Sequence, residues 1–172
     1  MMKTTDPALL ETGARLTCPA PPGFQSSSAD MNDSPDIIAI LEDSLDRMET
    51  FRRIVESLPV GLELRHFDHA GEMQSRLPAD FAKTRLISLD YSLEGSRSDS
   101  PWPGSGMDAV AFLIRLDPVC PVIVHTSSPG QSCRMAEALA GAGWTVRRVD
   151  FGSPDRKEKW REAVMELLET RA

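Results

Sequence analysis

Ile37-Ile38-Ala39-Ile40-Leu41-Glu42-Asp43-Ser44 is the stretch whose reading decides the fold of this chain. Five continuous apolar residues bounded by a polar cluster read as a strand buried on both faces that ends abruptly in two carboxylates and a hydroxyl. The period then changes. Leu45, Met48, Phe51, Ile54, Val55 and Leu58 recur at helical spacing until Pro59, with Gly61 just beyond as a stop. Leu62–Phe67 alternates apolar and polar residues, as a second strand nearer a sheet edge would. Asp68 is placed to cap a short helix around His69–Leu77, which Pro78 would end. The same unit recurs further on. Leu86-Ile87-Ser88-Leu89 is a third strand ending at Asp90, a helix resumes at Met107 or Asp108, and Pro121-Val122-Ile123-Val124 is a fourth strand ending at His125-Thr126-Ser127. A helix follows from about Gln131 to Ala140, then a fifth strand within Trp144–Phe151 and a last helix over Asp155–Arg171.

Strand and helix alternate five times. This implies a parallel sheet with helices on both faces, because right-handed crossovers require the intervening helices. The expected class is α/β, a flavodoxin-like three-layer sandwich with a five-stranded parallel sheet in the order 2-1-3-4-5. The 172 residues suffice for one domain of ordinary size. Residues 1–34 carry Pro19, Pro21, Pro22, Gly23, Ser26, Ser27, Ser28 and Ser34 and read as a flexible N-terminal extension. Residues 35–172 are left as the domain. Of the formal charge of −7, the extension's two cations and four carboxylates contribute −2, so the domain carries −5. That acidity argues against bulk nucleic-acid binding, and 6% aromatic residues argue against base stacking. Cys18, Cys120 and Cys133 match neither a disulfide framework nor a zinc ligand set, and suit a cytoplasmic location. The longest apolar runs fall far short of the roughly 20 residues of a membrane-spanning helix, so no membrane partner is expected.

Open parallel sheets bind ligands outside the carboxyl ends of their strands, near the reversal of strand order. In the expected order, strands one, three and four are adjacent, so Glu42, Asp43 and Asp90 converge beside His125, Thr126 and Ser127. Asp43 or Ser44 taken singly reads as a helix cap. Acidic residues ending two strands, with a hydroxyl pair ending a third, point instead to a metal or phosphate pocket. Three converging carboxylates are costly without a cation, and an all-oxygen donor set suits Mg²⁺ or Mn²⁺. The Thr126 or Ser127 hydroxyl can hold a phosphoryl oxygen. Arg47 is a candidate clamp for an anionic oxygen, and His125 a candidate general acid or base. Tyr91–Gly106 is the longest irregular segment of the domain, and its Trp102 is placed either to close over a ligand or to pin the loop. The cluster Arg147, Arg148, Arg156 and Lys157 reads first as a solvated face. His66 and His69 read as surface residues, and Trp144 and Trp160 as packing.

At these residues the chain resembles the receiver domains of two-component signalling, over about Asp36–Arg171. Glu42-Asp43 match the family's acidic pair, Asp90 its phosphoacceptor and Thr126 its hydroxyl. The resemblance implies Mg²⁺ on Glu42 and Asp43 and a phosphoryl group accepted by Asp90. Receivers carry a lysine followed by proline at the end of the fifth strand. Here Arg147-Arg148-Val149-Asp150-Phe151 has no lysine, and Arg148 is the candidate substitute. A narrower group, the receiver-like domains proposed to process cyclic phosphates, is similar in three phrases: Glu42-Asp43 with Arg47, Ser88-Leu89-Asp90-Tyr91-Ser92-Leu93, and His125-Thr126-Ser127-Ser128-Pro129 with Met135. Ser128 stands where that group has asparagine. This closer resemblance implies a metal-dependent reaction on a small phosphate-containing ligand or an RNA terminal phosphate. The alternatives are a stand-alone receiver serving a partner signalling protein, and a non-catalytic pseudo-receiver.

Overall fold

The computed structural model describes residues 35–94 and 103–169. The expected N-terminal extension and Trp102 therefore lie outside the described residues. Five units of strand and helix follow one another: β1 (Asp36–Leu41), α1 (Leu45–Glu56), β2 (Leu62–Phe67), α2 (Ala70–Asp80), β3 (Thr84–Leu89), α3 (Gly106–Leu113), β4 (Val122–Thr126), α4 (Pro129–Gly141), β5 (Val146–Asp150) and α5 (Arg156–Glu169). All strand pairs are parallel, as the alternation of periods implies, and the order is the expected β2-β1-β3-β4-β5.

Because successive side chains on a strand face opposite ways, the sheet divides each strand between two cores. Ala39, Leu41, Ile87, Leu89, Val122 and Val124 pack with residues of α2, α3 and α4. Ile38, Ile40, Leu86, Ile123 and Val149 pack with Met48, Phe51 and Val55 of α1 and with Trp160 and Val164 of α5. The central strands are buried on both faces, which is why they read as continuous apolar runs. β2 lies at an edge and is only partly covered, hence its alternation.

Two local expectations are corrected. The cap of α2 is His69 rather than Asp68: its Nδ1 accepts from the Glu72 amide at 3.1 Å. Pro78 does not end that helix, which runs on to Asp80 and passes into a 3-10 turn at Phe81–Lys83. In the last turn a proline removes a single backbone bond, and burial of Met73 and Leu77 outweighs that loss.

Candidate functional site

The strand ends supply the site. The ladder continues past β1 and β3: the Glu42 amide donates to the Phe67 carbonyl at 3.0 Å, and the Asp90 amide to the Leu41 carbonyl at 3.0 Å. Both carboxylates are thus anchored by backbone beside each other, at 0% and 2% exposure. Glu42 then organises the chain that follows it. Its Oε1 accepts from the Ser44 amide at 2.8 Å, and Ser44 caps α1 by accepting from the Arg47 amide at 3.4 Å. One helical turn beyond the cap, the Arg47 side chain folds back over the strand ends.

There its Nη2 lies 2.6 Å from Glu42 Oε1, 2.8 Å from Asp90 Oδ2 and 3.3 Å from Asp43 Oδ1. Carboxylate oxygens of these three residues fall within 4.8 Å of one another, and oxygen-only donors at that spacing can hold a hard divalent cation. The donor set therefore fits Mg²⁺ or Mn²⁺. The charge that balances it in this structure is a guanidinium, so Arg47 meets protein carboxylates rather than the anionic ligand that the sequence suggests.

The two buried carboxyls respond oppositely to one environment. Burial pushes Glu42 up, but the His125 imidazole, Arg47 and the Ser44 amide together outweigh burial and hold its pKa at about 2. For Asp90, burial is the largest influence and the adjacent Glu42 charge adds to it. His125, Arg47 and the Tyr91 amide pull the other way without winning, so its pKa is raised.

His125 and Thr126 part company because they are adjacent on β4. His125 faces the α1–α5 side, fully buried, with its ring 5.1 Å from that of Phe51 and 4.9 Å from that of Phe151. Its Nε2 faces Glu42 Oε2 at 3.4 Å, longer than a good hydrogen bond but close enough for charge attraction. It therefore meets the carboxylate cluster from behind, through Glu42. Its Nδ1 lies 2.7 Å from Ser88 Oγ, which accepts from Trp160 Nε1 at 3.0 Å. A buried polar chain thus runs from α5 to the pocket. Ser88 is visible in sequence only as a polar residue inside an apolar strand, and Trp160 only as an apolar-face residue of the last helix. His66, expected at the surface, is half-buried, with Nε2 2.7 Å from the Glu42 carbonyl oxygen.

Thr126 faces the α4 side and lines a cavity of about 300 Å³ with Ser132, Arg148 and Asp150. Its Oγ1 accepts from the Ser128 amide at 3.4 Å, and Arg148 Nε donates to Ser132 Oγ at 2.9 Å. Ser127 is exposed on the loop between β4 and α4. The β4–β5 register sets Asp150 directly opposite Thr126. The structure thus gathers Glu42, Asp43, Asp90 and Arg47, places His125 behind them, and puts Thr126 and Arg148 together in the cavity beside α4.

No protein-family model matches the sequence, and no curated protein is similar to it in sequence. Solved structures of one class share its fold. A CheY-like receiver domain protein from Methanospirillum hungatei superposes with a TM-score of 0.59 at 20% identity, covering 80% of this chain and 96% of its own. The phosphorylated cyanobacterial phytochrome response regulator RcpA gives 0.58 at 17% identity, covering 81% and 97%. The receiver domain of RcsB from Salmonella enterica, solved with the phosphomimetic BeF3-, gives 0.54 at 16%, covering 77% and 90%. The chain has the receiver-domain fold, and it carries an acidic cluster able to coordinate a metal at the carboxyl ends of β1 and β3. No helix among the described residues is long and apolar enough to cross a membrane.

Proposed function

We propose that this chain is a receiver-type signalling module in which Arg47 is the resident counter-ion of the pocket, exchanged for a divalent cation when the site is loaded. Its output would then pass to a partner protein. The observation that carries this reading is the convergence of Glu42, Asp43 and Asp90 on one guanidinium nitrogen at 2.6–3.3 Å. A bound Mg²⁺ would supply positive charge to the three carboxylates and to the oxygens of an incoming phosphoryl group. Asp90 is the nucleophile in this reading. One of its carboxylate oxygens forms the bond to phosphorus as the bond from phosphorus to the donor's leaving oxygen breaks, so acetyl phosphate would give up its phosphoryl group and release acetate. With Arg47 withdrawn, Asp90 Oδ2 loses its guanidinium partner, while Oδ1 keeps the Tyr91 amide at 2.7 Å.

The test is intact mass after incubation with acetyl phosphate, with and without Mg²⁺. The mass of one phosphoryl group should appear with Mg²⁺ in the native chain and not in Asp90→Asn. An unmodified native chain under conditions that modify a known receiver would refute this reading.

A second reading is favoured by one feature of β5. Opposite Thr126 stands Asp150, a carboxylate that offsets Arg148 in the same cavity, where an unopposed cation would help to retain a phosphoaspartate. A site of that kind suits passage of a phosphate ester over storage of a phosphoryl group. In this reading water would form the new bond to phosphorus as one ring P–O bond of a cyclic phosphate, such as an RNA terminal phosphate, breaks, and the freed oxygen takes up the proton that the water loses. Arg47 would hold an anionic oxygen, with Thr126, Ser127 and Arg148 as further phosphate contacts and His125 as acid–base group linked to the site through Glu42. Turnover of 2′,3′-cyclic nucleotides with Mg²⁺ or Mn²⁺, lost in Asp90→Asn, would support it. Absence of hydrolysis across a panel of cyclic phosphates would remove it.

A further inference from the structure

A cavity of about 150 Å³ opens between the start of α1 and the start of α5, lined by Arg47 but by none of the three carboxylates that Arg47 meets. Its polar wall carries three cations, Arg47, Arg156 and Lys157, against one carboxylate, Asp46. Such a concentration of positive charge stands out in a chain of net charge −7. The described cations divide into those that meet a carboxylate and those that, like Lys83, Arg115, Arg134 and Arg161, do not. Arg52, Arg53, Arg65, Arg76, Arg85, Arg147 and Lys159 each meet a carboxylate. Arg156, by contrast, has one weak hydrogen bond, from Nη1 to the Ser153 carbonyl at 3.4 Å. Lys157 has neither an ion pair nor a hydrogen bond among the described residues. Arg47 contributes through what the acidic cluster leaves over. Its Nη2 serves the carboxylates and its Nε is shut off from solvent, while the side chain as a whole, a third of it exposed, borders the cavity.

The opposite wall is apolar. Phe51 and Phe151 are 1% and 8% exposed, with rings 5.6 Å apart. They exclude water from one side of the cavity, and ionic hydrogen bonds strengthen where water is excluded. At ~30 Å³ per water molecule, the volume holds about five waters. That is room for a phosphoryl group.

We propose that this cavity binds the phosphoryl group of a phosphate monoester, or free phosphate, between Arg156, Lys157 and the outer edge of the Arg47 guanidinium. The site goes beyond the phosphoacceptor reading, since it lies outside the carboxylate cluster and needs no reaction at Asp90. Guanidinium and ammonium donors offer several charge-assisted hydrogen bonds to such an anion, and Thr50 borders the same space.

The experiment is an amide chemical-shift titration of the full chain carrying Asp90→Asn, so that binding is read separately from phosphoryl transfer. Inorganic phosphate and a nucleoside 5′-monophosphate are the two probes, with chloride at matched ionic strength as control. Both probes should saturate and move the amides of Thr50, Phe51, Phe151 and Lys157. Arg156→Gln and Lys157→Gln should each weaken binding by about tenfold, and Asp46→Asn should tighten it severalfold. Equal affinity for the two probes would support a site for the phosphoryl group alone, and tighter binding of the nucleotide would support an ester as the ligand. Shifts that do not saturate, that centre on Thr126 and Arg148, or that persist unchanged in Lys157→Gln would overturn the proposal.

Discussion

Replacing Arg47 by Gln tests the central feature of the site most directly. The substitution keeps a polar but shorter side chain and removes the charge that Glu42, Asp43 and Asp90 share. Deleting one partner of a buried ion pair typically costs about 3–5 kcal/mol, because the remaining charge stays buried and uncompensated. Here the Arg47 side chain is 33% exposed while Glu42 and Asp90 are 0% and 3% exposed. Solvent screens part of the attraction, which puts the expected loss at the lower end, about 3 kcal/mol. For a domain of this size that is a fall in Tm on the order of 10 °C at neutral pH. Acidification should shrink the difference, because protonating the orphaned carboxyls relieves their repulsion. A divalent cation should restore it: a ligand held at 100 times its Kd contributes about 2.7 kcal/mol, close to the loss itself. The assay is thermal unfolding of native and Arg47→Gln protein across a Mg²⁺ titration. Larger stabilisation of the variant than of the native chain is expected, since the native chain must give up Arg47 to admit the ion. Equal Tm values for both proteins without metal, or identical responses to Mg²⁺, would refute the assignment of Arg47 as counter-ion.

Three further outcomes are expected. The Glu42 carboxyl is held at about 2 against an ordinary 4.5, so it contributes on the order of 3 kcal/mol above pH 4.5, lost as pH falls towards 2. Asp90, shifted upwards, acts in the opposite sense and is relieved by protonation; urea denaturation across this window should show the loss in the native chain and a flatter profile in Glu42→Gln. Ser88→Ala leaves Trp160 Nε1 and His125 Nδ1 without their shared partner in the core. A cost of about 1–3 kcal/mol is expected, with a change in tryptophan emission, and an unaltered urea midpoint would show the buried chain to be dispensable. In Gly106→Ala, the new methyl would collide with the Asp90 carbonyl and come within 2.9 Å of Tyr91 Cα, both fixed backbone. The expected loss is about 1–3 kcal/mol, together with weaker Mg²⁺ binding as Asp90 is displaced, and unchanged calorimetric titration would contradict that coupling.

Much of this protein is legible in one dimension. Ile37–Leu41, Leu86–Leu89 and Pro121–Val124 announce buried parallel strands because both faces of a central strand must be apolar. The alternation implies a parallel sheet with right-handed crossovers, and the order 2-1-3-4-5 is the flavodoxin-like arrangement expected for a chain of this size. The acidic cluster was legible for the same reason: carboxylates placed immediately after buried strands emerge at one edge of the sheet. Helix ends were read less well. His69 is an uncommon cap, and Pro78 falls in a turn whose packing outweighs its lost bond.

What only the tertiary structure decided is direction and partnership. Strand alternation makes His125 and Thr126 face opposite cores, and a one-residue error in register would exchange them, which no composition or spacing resolves. Ser88 and Trp160 are 72 residues apart and meet only because β3 and α5 pack on the same side of the sheet. Asp150 stands opposite Thr126 through the β4–β5 register, and Arg156 and Lys157 face Arg47 because α5 docks beside α1. The residue types and the strand ends determined that charge would accumulate at one edge. Which cation balances it is settled by the first turn of α1, which carries the Arg47 side chain, a third of it still exposed to solvent, back over carboxylates too deeply buried to be left without a counter-charge.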